Sequence, residues 1–238
     1  MMRRLKGFVI LHNKAVRAWP ARGSLLGGRR CALRSGFTIM ELLIATVVFS
    51  VVLLVVTAGI LQIARVYYKG VTEANTQNTV RTIIDTISQA IQFSGGDVTS
   101  TPAITTPGSS YAFCVGNQQF SYTSGWQVED SPNVSLNQTN HALVQRSIAG
   151  CSSSTAAQNV RNPSVTGRDL VGPHMRLANL VVSNIGPNQY RIQVRVVYGD
   201  NDLLNTPTAI TANCKGIRAG TQFCSVSELS TVVIKRVE

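Results

Sequence analysis

Acidic side chains are scarce in this chain, eleven Asp and Glu against 22 Lys and Arg in 238 residues, and none precedes Glu41. The imbalance is local. Nine of the basic residues lie in residues 1–36, leaving 13 basic and 11 acidic residues for the rest. The formal charge of +11 therefore belongs mostly to a leader, and the remainder carries only +2. This argues against reading the high pI as a nucleic-acid-binding surface spread over the chain. A basic stretch ahead of an apolar helix instead holds its own end in the cytoplasm, because cationic side chains resist crossing a membrane. Nothing aromatic or periodic in the leader favours nucleic acid.

Charge of either sign is missing from Leu42 to Leu61 (LLIATVVFSVVLLVVTAGIL). About twenty such residues in a helix rise roughly 30 Å, the thickness of a bilayer's hydrocarbon core. Also missing is any C-x-x-C pair. The five cysteines divide into Cys31 in the leader and Cys114, Cys151, Cys214 and Cys224 beyond the apolar run. An even set on the outer side of a membrane fits an oxidising compartment. Four cysteines allow three pairings, and the sequence does not choose among them. The sequence-local pairing, Cys114–Cys151 with Cys214–Cys224, is the expectation, each bridge stabilising by about 2.5–4 kcal/mol in the loop-closure picture. A zinc site is the rival, with His141 and His174 as the nearby imidazoles.

No catalytic constellation emerges. His141 and His174 show no evident acid or nucleophile partner, and paired carboxylates are absent outside Asp200 and Asp202. Ser-rich segments lack the strand–turn–helix setting of a nucleophile elbow. The expectation is no enzyme and no cofactor. Asp200-Asn201-Asp202 could ligate calcium, but the stretch lacks EF-hand spacing and reads more simply as a polar turn. Asn133-Val-Ser and Asn137-Gln-Thr fit the glycosylation sequon and also read as an exposed polar loop. Arg168, Arg176, Arg191 and Arg195 offer either a basic strip for an anionic partner or a solvated sheet face.

The pattern predicts one long helix from Phe37 to about Phe93. Its first half, residues 37–64, is apolar all round, as in lipid or a bundle core. Its second half, residues 65–94, turns amphipathic, with Val80, Ile83, Ile84, Ile87 and Ile91 along one face. Gly70 and Asn75–Asn78 predict a bend or local break, and Gly95-Gly96 the end. At about 85 Å such a helix outruns any domain of this size, so the apolar half would form the handle of a ladle and the isoleucine stripe would lie on a sheet. Strands are expected at Tyr111–Val115, Gln119–Thr123, Ala142–Ile148, Leu177–Ser183, from Tyr190 to Val197, and at Ser230–Val237. Tyr190, Ile192, Val194 and Val196 alternate with Arg191, Gln193 and Arg195, the period-two signature of a half-buried strand. Short turns between neighbours imply an antiparallel sheet. The fold class is α+β, a long N-terminal helix packed on an antiparallel sheet, with residues 95–238 as a β-rich head.

The junction is the most specific feature. Arg34 to Phe49 reads RSGFTIMELLIATVVF: a basic leader closing at Gly36, then Phe37-Thr38-Ile39-Met40-Glu41, then the apolar run. This resembles the type IV pilin family, including the pseudopilins of type II secretion. The resemblance is strong over Arg34–Ala64 and elsewhere rests on architecture. It implies a pilin-like fold and cleavage after Gly36 by a membrane-embedded prepilin peptidase, which also methylates the new N-terminus at Phe37. It also implies that Cys214 and Cys224 close the loop that the family often has near its C-terminus. A carboxylate at the membrane edge costs less than the ~3 kcal/mol it costs at the centre. The ammonium freed at Phe37 of one subunit can neutralise Glu41 of another, so the burden becomes a register device in a filament. A plain signal anchor with a snorkelling glutamate is the bland competitor. For a secretory signal the apolar run is too long.

The resemblance implies a prepilin, a structural subunit of a type IV pilus or related filament. With a 36-residue leader removed, the 238-residue chain is still on the large side for a major pilin, which points to a minor one. Glu41 argues against the tip-most pseudopilin that characteristically lacks it. Implied partners are the prepilin peptidase, other pilins and the inner-membrane assembly platform. The implied location is the cytoplasmic membrane and then the cell surface or envelope. A tip-located binding module for a host surface or DNA, and a secretion pseudopilin, are the alternatives.

Overall fold

The computed structural model describes residues 36–216 and 220–236. The leader expected over residues 1–36, including Cys31, lies outside the described residues apart from Gly36. The chain divides into two units, residues 1–50 and 51–238, with the boundary inside the helix Ile39–Phe93. The architecture is α+β: α1 (Ile39–Phe93) followed by β1 (Ser110–Val115), β2 (Gln118–Thr123), β3 (Gln127–Val128), β4 (Gln138–Thr139), β5 (Leu143–Ser147), β6 (Arg168–Asp169), β7 (Met175–Gly186), β8 (Gln189–Tyr198), β9 (Leu204–Asn205), β10 (Asn213–Cys214) and β11 (Ser225–Ile234).

In the first unit, Thr38 opens α1. Its hydroxyl accepts the Glu41 N–H at 3.2 Å and its carbonyl accepts the Leu42 N–H at 3.2 Å. Thr-x-x-Glu is the capping-box sequence, so the helix start is encoded locally.

In the second unit, α1 runs unbroken through Asn75–Asn78, where the sequence predicts a bend. Packing and local hydrogen bonds override propensity there. The hydroxyls of Thr76, Thr79 and Thr82 donate to the carbonyls of Thr72, Asn75 and Asn78 four residues back. Thr72 and Thr76 are themselves buried, and Thr72 also reaches the Gln222 carbonyl at 3.2 Å. These back-bonds satisfy the hydroxyls within the helix, and the burial of Thr72 and Thr76 holds the segment helical. Beyond them Val80, Ile83, Ile84, Ile87 and Ile91 enter the main core with Phe113, Phe120, Leu177, Leu180, Ile192, Val194 and Val196.

Among the described residues the strands form not one sheet but three. One has the order β1-β2-β5-β6, another β11-β8-β7-β3-β4, and β9-β10 is a two-stranded ribbon. All pairings are antiparallel except β3 with β4. Stacking of Phe113 on Phe120, centroids 5.0 Å apart, fixes the first hairpin. β7 and β8 join through Asn188 at φ 56°, a left-handed position that Asn tolerates. β11 begins at Ser225, five residues before the expected Ser230, because it pairs with the whole of β8, Ser225 opposite Tyr198 and Ile234 opposite Gln189. Cystines join Cys114 to Cys151 and Cys214 to Cys224. These four sulfurs therefore hold no zinc.

Candidate functional site: the exposed apolar helix and its acidic start

From Gly36 to Val71 no described residue is buried. The exposed side chains include Phe37, Ile39, Leu42, Val47, Phe49, Leu54, Val55, Ile60 and Ile63, most of them more than half accessible. α1 contains a window of mean hydropathy 2.8, none of it buried, and is long and apolar enough to span a membrane. Water does not tolerate a contiguous apolar surface of this extent, so another apolar phase or another protein must cover it. Thr46, Ser50 and Thr57 do not contradict this. Each hydroxyl donates back to a carbonyl three or four residues earlier, so each polar group is satisfied within the helix.

Glu41 is the one charge on this surface until Arg65. It stands in the first turn of α1, where the helix dipole favours an anion by about 0.3–1 kcal/mol. Among the described residues its carboxylate has neither a hydrogen bond nor an ion pair, so its acceptor capacity is free for another molecule. Gly36 is exposed, with nothing within 4 Å of where a Cβ would sit. Gly36, Phe37 and Glu41 thus share one accessible stretch at the head of the helix.

The other candidate residues are placed differently. Asp200 precedes a 3-10 turn over residues 201–203 that contains Asp202. The groups near enough to share an ion are Glu129, His174 and Asp200, with ligand atoms within 4.8 Å of one another. That cluster faces a competing cation. Arg176 is fully buried. Its guanidinium donates to Asn201 Oδ1, Gln127 Oε1 and the carbonyls of Gly199 and Pro207, all neutral. Burial pushes its pKa down to about 10, and the charges of Asp200 and Glu129 hold it up. The two carboxylates of the cluster therefore also act on the charge of a buried arginine.

The same burial removes Arg176 from any basic strip. Arg195 is taken as well: it donates to Glu228 at 2.7 Å and to the Ala212 carbonyl at 3.0 Å. The four arginines therefore form no continuous strip, while Arg191 is exposed and Arg195 half-buried on the wetter face of β8 and Arg168 is exposed elsewhere. The histidines, in contrast, have acid partners that the sequence did not reveal. His141 Nδ1 lies 2.7 Å from Asp169 and His174 Nδ1 lies 2.9 Å from Glu129. These partners are 28 and 45 residues away in sequence, beyond any local signal. No hydroxyl or thiol hydrogen-bonds to either ring among the described residues. Asn133 caps the 3-10 turn at Val134–Leu136 by accepting the Ser135 N–H.

Compared with known proteins, the chain matches no family model, no curated protein and no solved structure.

Proposed function

We propose that this chain is a prepilin, a structural subunit of a type IV pilus or a related filament, and a minor one. It is cut after Gly36 and methylated at Phe37. The observation that carries the reading is the unburied apolar surface of α1, headed by Gly36-Phe37 and bearing a single unpaired carboxylate at Glu41. A lipid phase can cover such a surface before assembly, and copies of the same helix can cover it afterwards. Glu41 favours the second destination. Lipid offers it no cation, whereas a neighbouring subunit trimmed at Gly36 offers the Phe37 ammonium. Assembly then requires the prepilin peptidase, other pilins and an inner-membrane platform as partners, with a scaffolding rather than a catalytic role.

Replacing Gly36 by Leu tests the processing step. The full-length precursor should accumulate in the membrane fraction, whereas normal maturation of that variant would refute the cleavage. A secretion pseudopilin shares every one of these features. A tip-located binding module is the second reading, favoured by the cavity described next.

A further inference from the structure

The inner face of a sheet is normally apolar where a helix covers it. In the β1-β2-β5-β6 sheet this rule fails just past the end of α1. Phe120 is fully buried in the core. Gln145 lies opposite it on β5, and Arg168 lies opposite Gln145 on β6. Gln118 lies opposite Ser147 two residues along. Opposed residues share a face, and alternate residues along a strand return to it. Gln118, Gln145, Ser147 and Arg168 therefore all point to the helix side, and all four line a cavity of about 580 Å³ at the C-terminal end of α1. That volume falls in the range of small-ligand sites, roughly 300–1,000 Å³.

The cavity is rigidly built. Gly116 donates its N–H to the Asp97 carbonyl at 2.9 Å. A Cβ on Gly96 would come within 2.8 Å of the Gly116 Cα, so the helix exit and the β1–β2 turn touch backbone to backbone. Its polar groups are underused. Gln145 Nε2 donates to Gln118 Oε1 at 2.6 Å, and among the described residues the Gln145 carbonyl oxygen and the Gln118 amide nitrogen have no side-chain partner. Arg168 is exposed and forms no ion pair among the described residues. Phe93, also in the lining, is 65% accessible.

We infer that this cavity binds an acidic saccharide. Planar amides offer paired donors and acceptors to adjacent hydroxyls, and the flat Phe93 ring suits the C–H face of a pyranose. The helix C-terminus has no basic residue in its last turn, so its partial negative charge favours hydroxyl donors and repels dense anions. Arg168 is the one charged residue in the lining and matches one carboxylate. A phosphodiester chain needs several such cations and finds one here, which excludes nucleic acid as the occupant. The site does not depend on the filament reading.

The test uses the full chain in detergent and a panel of tetrasaccharides: glucuronate-bearing and sialate-bearing ones beside neutral maltotetraose and chitotetraose. Calorimetric titration should detect at least one acidic member at millimolar concentration and neither neutral one. Arg168→Gln and Phe93→Ala, both exposed positions, should each weaken that binding about tenfold or more with an unchanged melting temperature. Arg191→Gln, on the other sheet, should leave it unchanged. No binding by any acidic member, equal binding of a neutral one, or insensitivity to Arg168→Gln would overturn the inference.

Discussion

Among single residues, Glu41 has two separable physical roles. It is the third residue of a helix capped by Thr38, and its carboxylate, unpaired among the described residues, stands beside lipid-sized apolar surface. Thr38→Ala removes the cap and should cost about 1 kcal/mol of local helix stability, seen as faster amide exchange in the first turn. Glu41→Val should leave maturation intact and lower incorporation into filaments. Losing ~1.4 kcal/mol of pairing per subunit lowers incorporation about tenfold. Equal incorporation defects in the two variants would reduce Glu41 to a cap. Arg176→Ala leaves the carbonyls of Gly199 and Pro207 and the side chains of Asn201 and Gln127 without their donor. It should lower stability by about 3 kcal/mol or more in a thermal melt. Glu228 is a milder case. The Gln193 amide, against the counter-effect of burial and with help from Arg195, holds its carboxyl below the usual range. A carboxyl depressed in the folded state contributes above its unfolded pKa and loses that contribution as pH falls through the folded one. Glu228→Gln should therefore cost about 0.2–1 kcal/mol at neutral pH, given its exposure, and nothing once the pH is below the folded value.

At the scale of elements, α1 shows which signals a sequence carries well. The isoleucine stripe, the apolar run and the Gly95-Gly96 stop were all legible, because each is a periodicity or a backbone preference within one segment. The local break weighed at Asn75–Asn78 does not occur, because the tertiary contacts of Thr72 and Thr76 outweigh propensity there. Slow amide exchange from Thr72 through Ile87 should accompany the continuous helix, whereas fast exchange confined to Asn75–Asn78 would mark a break. Ile87→Ala, fully buried on the stripe, should cost about 2–5 kcal/mol by the same melt. β8 was legible for its strict alternation. β3, β4, β6, β9 and β10 were not, being two residues long and defined only by their neighbours. The split into separate sheets, the early start of β11 and the burial of Arg176 likewise depend on contacts distant in sequence. The junction residues of the candidate site were readable because they are contiguous, whereas the proposed saccharide cavity joins four strands and a helix end and leaves no local trace.

At the scale of the whole molecule, a basic leader, a helical stretch from Gly36 to Val71 with no buried residue among those described, and a cystine-bearing β-rich region are consistent with a singly anchored chain whose head lies on an oxidising side. The cystines contribute about 3 and about 4 kcal/mol for loops of 10 and 37 residues. Non-reducing peptide mapping of exported protein should recover both, and free thiols at Cys114 and Cys214 would place the region in a reducing compartment. On the proposed filament reading, removal of the leader is the decisive step, because a new chain end at Phe37 supplies a cation for Glu41. N-terminal sequencing with mass analysis of protein extracted from native membranes measures this directly. The expected result is a chain beginning at an N-methylated Phe37. A chain that still carries residues 1–36, or begins elsewhere, would contradict the filament role and leave a singly anchored surface protein.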